Sequence, residues 1–210
     1  MINNISHQYD GKRLNRGKFI VIYGVNNLGK TTQAKLLVDR LKKSGYRSEY
    51  LKYPLYDFKP TGPMINRYLR KNNPDNFSPR EAQLIFALNR SHFQSRLLDK
   101  LNKGINVIAE DYVGTGMAWG ICAGVEKKFL KSINDQLQKE DLAFLFTGHR
   151  FTEGQEHNHR HETDEDLVNR VKKILLNLGR ESGWIKISAN LNKRKVHEQI
   201  WKKVIKLINR

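Results

Sequence analysis

Apolar positions along this chain change period again and again, and that alternation is its main structural signal. Phe19–Tyr23 is a short, β-branched apolar run of the length of one buried parallel strand. Beyond it, Ala34, Leu37, Val38 and Leu41 recur at helical spacing across Thr32–Ser44, and Gly45 ends that helix. Arg47–Tyr53 predicts a second strand stopped by Pro54, followed by a turn-rich stretch with a short helix around Met64–Leu69. Ser78-Pro79-Arg80-Glu81 combines a capping serine, a proline in first position and a glutamate placed to close a capping box. A helix is therefore expected from Pro79 to about Lys103, with Gly104 ending it. Ile105–Ala109 reads as a third buried strand with Glu110-Asp111 at its C-terminal tip, and Met117 to about Gln138 as the next helix. Leu142–Phe146 is the fourth strand. A helix over Thr163–Leu178 should open at Thr163-x-x-Asp166 and close at Gly179. Trp184–Ser188 is the fifth strand and Val196–Ile208 a final amphipathic helix.

Strand and helix alternate throughout, which predicts an α/β protein with a five-stranded parallel sheet and helices on both faces. Ligands of such sheets bind at the carboxyl ends of the strands. There the first strand runs into Gly24-x-x-x-x-Gly29-Lys30-Thr31, the phosphate-binding loop pattern of the three-layer P-loop NTPase fold. The chemistry needs those residues at that spacing. Two glycines let the backbone wrap, so that amides from Gly24, Asn26, Asn27, Leu28, Gly29 and Thr32 can turn toward a polyphosphate. Lys30 brings a mobile positive charge to the β- and γ-phosphates, and the Thr31 hydroxyl can ligate Mg²⁺. The helix starting near Lys30 adds its positive N-terminal dipole. A glycine turn that merely joined strand to helix would not require Lys and Thr after the second glycine.

Composition narrows the setting. At 210 residues the chain fits one α/β domain: a loose polar tail over residues 1–17, then a single P-loop domain over 18–210, with a short lid-like loop at about 148–163. No stretch approaches the ~18 consecutive apolar residues of a membrane span, and the polar N-terminus carries no apolar signal-peptide core. A single cysteine, Cys122, excludes an internal disulfide framework and points to a reducing cytoplasm. The net charge of +17 suits polyanionic ligands. Its lysines and arginines are spread along the chain beside apolar positions, as on solvated helix faces, so a nucleic-acid partner is not indicated.

Within Leu84–Arg90, Phe86 and Arg90 lie four apart and share a helix face. A ring and a guanidinium on one face can stack on a base and donate to its carbonyl edge. On spacing alone, a core phenylalanine beside a surface arginine explains them better. From Phe19 to the C-terminus, however, the chain resembles the thymidylate kinase family of nucleoside monophosphate kinases. Besides the loop, the resemblance rests on Tyr53-Pro54 with Thr61-Gly62 and Tyr68-Leu69, on LIFALNR at 84–90, on Asp111-Tyr112-Val113-Gly114-Thr115-Gly116, and on Ser188-Ala189 with the later VHEQIW. It implies that Phe86 stacks on the acceptor base, Arg90 bonds a base carbonyl and Asn89 supports them. It also implies that Tyr53 belongs to the acceptor site, that Tyr112 packs against sugar and base, and that Trp119 stands near the sugar. Family members are commonly homodimers packed through helices, which makes the Pro79–Lys103 helix the candidate surface.

The chain departs from that family in three places. Glu110 and Asp111 stand where the family has Asp-Arg, Asn26 where an Asp often occurs, and no Arg follows Tyr53-Pro54, with Lys59 the nearest stand-in. A carboxylate in place of a guanidinium reverses the charge near the transferring phosphoryl group unless Mg²⁺ lies between them. The loop interior, Val25-Asn26-Asn27-Leu28, holds no arginine either. Positive charge over the γ-phosphate must then come from the lid, where Arg150 and Arg160 are available and Arg160 is preferred, because His161-Glu162 after it resembles the family's lid boundary. His157, His159 and His161 alternate there; without a partnering Cys or placed carboxylate they read as polar loop rather than a Zn²⁺ site. The expected activity is transfer of the ATP γ-phosphoryl group to dTMP with Mg²⁺. Lys30, Thr31 and Arg160 would act at the phosphates, and Glu110 or Asp111 at the metal or its water. The alternatives are a P-loop kinase of another nucleotide or nucleoside, a nucleotide-binding relative with little turnover, and a nucleic-acid-binding ATPase.

Overall fold

The computed structural model describes residues 16–151 and 164–209. Its spine is β1 (Phe19–Tyr23), every residue of which is fully buried. The other strands are β2 (Ser48–Lys52), β3 (Asn106–Glu110), β4 (Leu142–Thr147) and β5 (Ile185–Ser188). All pair in parallel, in the order β2-β3-β1-β4-β5, which puts β1 between β3 and β4. The registers Ile22↔Glu110 and Tyr23↔Leu145 align the carboxyl ends of the central strands at one edge. A central strand flanked on both sides and covered on both faces has no solvated positions, which is why it reads as a continuous apolar run.

The helices are α1 (Lys30–Lys43), α2 (Thr61–Arg70), α3 (Pro79–Asn102), α4 (Val113–Cys122), α5 (Lys127–Ser132), α6 (Glu165–Ser182) and α7 (Lys193–Ile208). One layer is formed by α1 and α7, and the opposite one by α3, α4 and α6, which pack in that order. The capping box at α3 forms as the sequence predicts: the Ser78 hydroxyl accepts from Glu81 N, and the Glu81 carboxylate accepts from Ser78 N. Among the described residues no helix is long and apolar enough to cross a membrane.

Several boundaries differ from the sequence reading. The expected Met117–Gln138 helix is two helices, because Gly124 at φ +84° ends α4 just past Cys122. For α6 the cap is Asp164, accepting from Leu167 N, and the stop is Gly183 at φ +69°, not Gly179; Thr163 lies outside the described residues. Gly179 stays helical because its bare face receives Leu145 and Trp184, either of which a Cβ would meet at about 3.0–3.1 Å. Gly17, assigned to the tail by composition, is packed: its N–H donates to Leu101 O at 2.8 Å, and a Cβ would strike the Ile105 carbonyl. The remainder of the expected tail, residues 1–15, lies outside the described residues.

Tyr23, at the end of β1, stacks on Trp184 with centroids 4.1 Å apart, and Gly114 of α4 closes over that pair. A Cβ at Gly114 would come within 2.3 Å of the Trp184 ring, which is partly buried and held by its stacking on Tyr23. Gly114→Ala is therefore expected to cost about 1–3 kcal/mol through overpacking, read as a lowered midpoint in urea unfolding. An unchanged midpoint would show that α4 is free to shift.

Candidate active site

At the carboxyl edge of the sheet the loop after β1 opens a cavity of about 430 Å³. Its floor is the phosphate-binding loop and the tip of β3; its far wall is α3 and α4. Asn26, Asn27, Gly29, Lys30, Thr31 and Thr32 line the floor. Gly24 and Leu28 lie behind that lining, Leu28 with its side chain in the core. Gly29 adopts φ +75°, the left-handed turn that lets α1 begin at Lys30 with its amides directed at the cavity. The Lys30 ammonium donates to the carbonyls of Gly24 (2.9 Å) and Val25 (3.0 Å) and lies 3.6 Å from Asp111.

Beside it stands a network centred on Glu110. Its Oε2 accepts from the hydroxyls of Thr31 (2.6 Å) and Tyr50 (2.7 Å), and its Oε1 lies 3.3 Å from the Lys52 ammonium. Burial pushes the Glu110 pKa up, but Lys30, Lys52 and the two hydroxyls outweigh it and hold the carboxyl below its ordinary value. Asp111 is shifted the other way, raised by burial and by Glu110 against the opposing pull of Lys30. Its Oδ1 accepts from the Thr115 hydroxyl at 2.7 Å, and its own amide donates to Ile22 O.

The far wall carries Phe86, Arg90, Tyr112, Trp119, Thr115 and Gly116. Arg90 is 4% exposed and its guanidinium makes two bonds to Asn134 Oδ1, from Nε (3.2 Å) and Nη2 (2.8 Å). Burial lowers its pKa to about 10, which leaves it charged at neutral pH. Tyr53 packs on Tyr112 with centroids 5.0 Å apart, and among the described residues its buried hydroxyl has no hydrogen-bond partner. Asn89 is fully buried behind the wall. It accepts from Leu55 N (2.9 Å) and donates to Leu55 O (3.1 Å) and Thr61 Oγ1 (3.0 Å), fastening the chain after Tyr53-Pro54 to α3.

The structure thus gathers most of the sequence-selected residues around one cavity and leaves Lys59 out: that residue is exposed and does not line the wall. The cations that β2 and α2 bring to the wall are Lys52 and Arg70 instead. Sequence reasoning missed both, and also Gln83, three residues before Phe86. For Lys52 a signal existed, since the last residue of a strand before a proline turn stands at the ligand edge of the sheet. Arg160 and the three lid histidines lie outside the described residues. The start of the lid is described: Asn190 clamps His149 through two bonds of 2.7 and 2.9 Å, Arg150 pairs with Glu165 at 2.5 Å, and Phe151 N donates to Asn27 O at 2.7 Å.

The donor set fits a hard cation that shares its shell with phosphate and water. It comprises one hydroxyl and one carboxylate in hydrogen-bond contact, all oxygen, and among the described residues no group of three or more His, Cys, Asp or Glu could hold a metal unaided.

A glycine-turned loop feeding a helix at the centre of a parallel sheet, with Lys and Thr on the floor and an aromatic wall opposite, defines a P-loop nucleotide-binding protein. The profile of the thymidylate kinase family matches residues 22–200. A thymidylate kinase of Schizosaccharomyces pombe is 31% identical over 197 residues, 89% of this chain and 90% of that one. The thymidylate kinase of Plasmodium falciparum is 29% identical over 199 residues, 91% of each. In fold, the chain superposes on the solved thymidylate kinase of Candida albicans with a TM-score of 0.76 at 24% identity, covering 92% of this chain and 94% of that one. The chain belongs to the thymidylate kinase family.

Because Asn134 is the residue on which the buried Arg90 guanidinium is hydrogen-bonded, Asn134→Ala strands a charged donor. The expected loss is about 1.5–3 kcal/mol of unfolding free energy, measured in urea. A variant as stable as the wild type would show that Arg90 finds other partners.

Proposed function

We propose that the protein transfers the γ-phosphoryl group of ATP to dTMP, giving dTDP and ADP. The observation that carries this is one cavity holding a phosphate-binding floor and, facing it, a wall where a ring (Phe86) and a buried guanidinium (Arg90) stand one helical turn apart. A phosphate oxygen of the acceptor attacks the γ-phosphorus, the bond from that phosphorus to the β–γ bridging oxygen breaks, and ADP departs. The nucleophile is already anionic, so no general base is needed, and the protein contributes position and charge.

In this reading the loop amides and Lys30 hold the donor phosphates, Lys30 leaving the Gly24 and Val25 carbonyls to do so. Thr31 would hold Mg²⁺, with Glu110 or Asp111 holding the ion or its water; bound there, the ion would neutralise phosphate charge. Phe86 stacks on the base and Arg90 donates to its carbonyl, while Tyr53, Tyr112 and Trp119 enclose the sugar and Asn89 keeps the Leu55 turn in place. Arg160 closes over the γ-phosphate from the lid. A second copy of the chain packs on α3, where Leu84 and Leu88, one turn apart, are each 45% exposed. A cytoplasmic setting accords with the single cysteine thiol. A second reading, another deoxynucleotide as acceptor, is favoured by Asp111, a carboxylate where this family has a guanidinium.

Coupled ADP release with ATP and Mg²⁺ across a panel of nucleoside monophosphates tests both readings. Turnover should be highest with dTMP, vanish on chelation with EDTA and fall on the order of a hundredfold or more in Lys30→Ala. Preference for a different acceptor would select the second reading, and binding without turnover of any acceptor would reject both.

A further inference from the structure

Gln83 is a buried polar residue that no role assigned so far uses. It is 6% exposed and lines the cavity, and its side-chain amide, which no described residue bonds, opens to that cavity rather than being sealed in the core. A carboxamide held at a cavity wall keeps both its donor and its acceptor available to a ligand. Its position is fixed from two directions. On α3 it precedes Phe86 by three residues and Arg90 by seven, so the three side chains share one face. Its stem lies against Gly120 of α4, where a Cβ would come within 3.1 Å of Gln83 Cγ.

Arg90 beside it spends Nε and Nη2 on Asn134 and turns Nη1 toward Gly116, 3.0 Å from the place a Cβ would occupy. A guanidinium only donates; a carboxamide also accepts. Together they match a base edge that presents a carbonyl next to an N–H. That is the O4/N3–H edge of thymine or uracil. Cytosine offers an amino group where the carbonyl would be, and that amino group would face a second donor.

We propose that Gln83 is a specificity-determining residue that accepts the N3–H of the acceptor base and selects a thymine-type edge over cytosine. The inference rests on the nucleotide-acceptor reading of this wall and adds to it the residue that completes base recognition. Loss of a buried partner for a substrate N–H lowers kcat/KM far more than loss of packing of the same size, because the substrate group is left unpaired.

The test is Gln83→Met, which keeps chain length and removes the amide. In the free protein its melting temperature should stay close to the wild-type value, since the stem packed on Gly120 is kept and the lost amide bonds no described residue. For dTMP, kcat/KM should fall at least tenfold, mainly through KM, with the KM for ATP unchanged and the preference for dTMP over dCMP reduced. Calorimetric binding of dTMP, dUMP and dCMP gives the same comparison without turnover. A wild type that binds dTMP without turning it over counts against the kinase reading alone, and the binding ratio still decides the role of Gln83. The inference is overturned if Gln83→Met binds dTMP within twofold of the wild type, if it weakens all three nucleotides equally, if the free variant melts lower, or if the wild type binds none of them.

Discussion

The carboxylate of Glu110 is the joint on which the site is built. One oxygen receives the hydroxyls of Thr31 and Tyr50 and the other faces Lys52, so a single group ties the tip of β3 to the first turn of α1 and to the length of β2. The next residue, Asp111, is a second buried carboxylate, set against Lys30. Two adjacent negative charges at the end of a buried strand would repel strongly in so dry a setting, and breaking their pairing with cations would be costly. The opposite pKa directions of the pair express this: the residue with more cations and hydroxyls around it is the better acid. On this floor the two carboxylates are each set against a lysine, Asp111 against Lys30 and Glu110 against Lys52.

Much of that arrangement was legible in the sequence because it depends on short-range patterns. The glycine spacing around Lys30, the apolar run of β1 and the Ser78–Glu81 capping box each specify local backbone, and each forms where its residues stand. What sequence missed depended on tertiary contact. Gly179 looks like a helix stop and Gly183 does not, until Trp184 and Leu145 are seen occupying the bare face of the former. Gly124 broke a helix that apolar periodicity carried straight through it, since periodicity registers faces and not φ angles. Lys59 was chosen over Lys52 because it lay within the segment searched for an arginine. Strand register, which sets Lys52 opposite Glu110, cannot be read from one strand alone.

Asp111 is buried, bonded to Thr115 and paired with Lys30. It orients the lysine and the start of α4 rather than offering positive charge. The cations remaining at the wall are Lys52, Arg70 and Arg90, which enter from β2, α2 and α3. Arg90 is committed to Asn134, so among the described residues the other cations on the cavity are Lys30, Lys52 and Arg70.

Helix α3 explains why Gln83 was not singled out in the sequence while Phe86 and Arg90 were. Its apolar residues follow no single stripe because the helix serves several surfaces at once. Leu97 and Leu101 enter the core, while Gln83, Phe86 and Arg90 form the cavity wall. Asn89 fastens the Leu55 turn, and Leu84 and Leu88 face outward. Amphipathicity separates two faces and is blind to a third. A buried amide on such a helix looks, in sequence, like any glutamine on a solvated face. Only Gly120 pressed against its stem and Arg90 one face-repeat away distinguish Gln83 from its polar neighbours. The burial of this wall therefore comes from contacts between α3 and α4, which no single segment of the sequence displays.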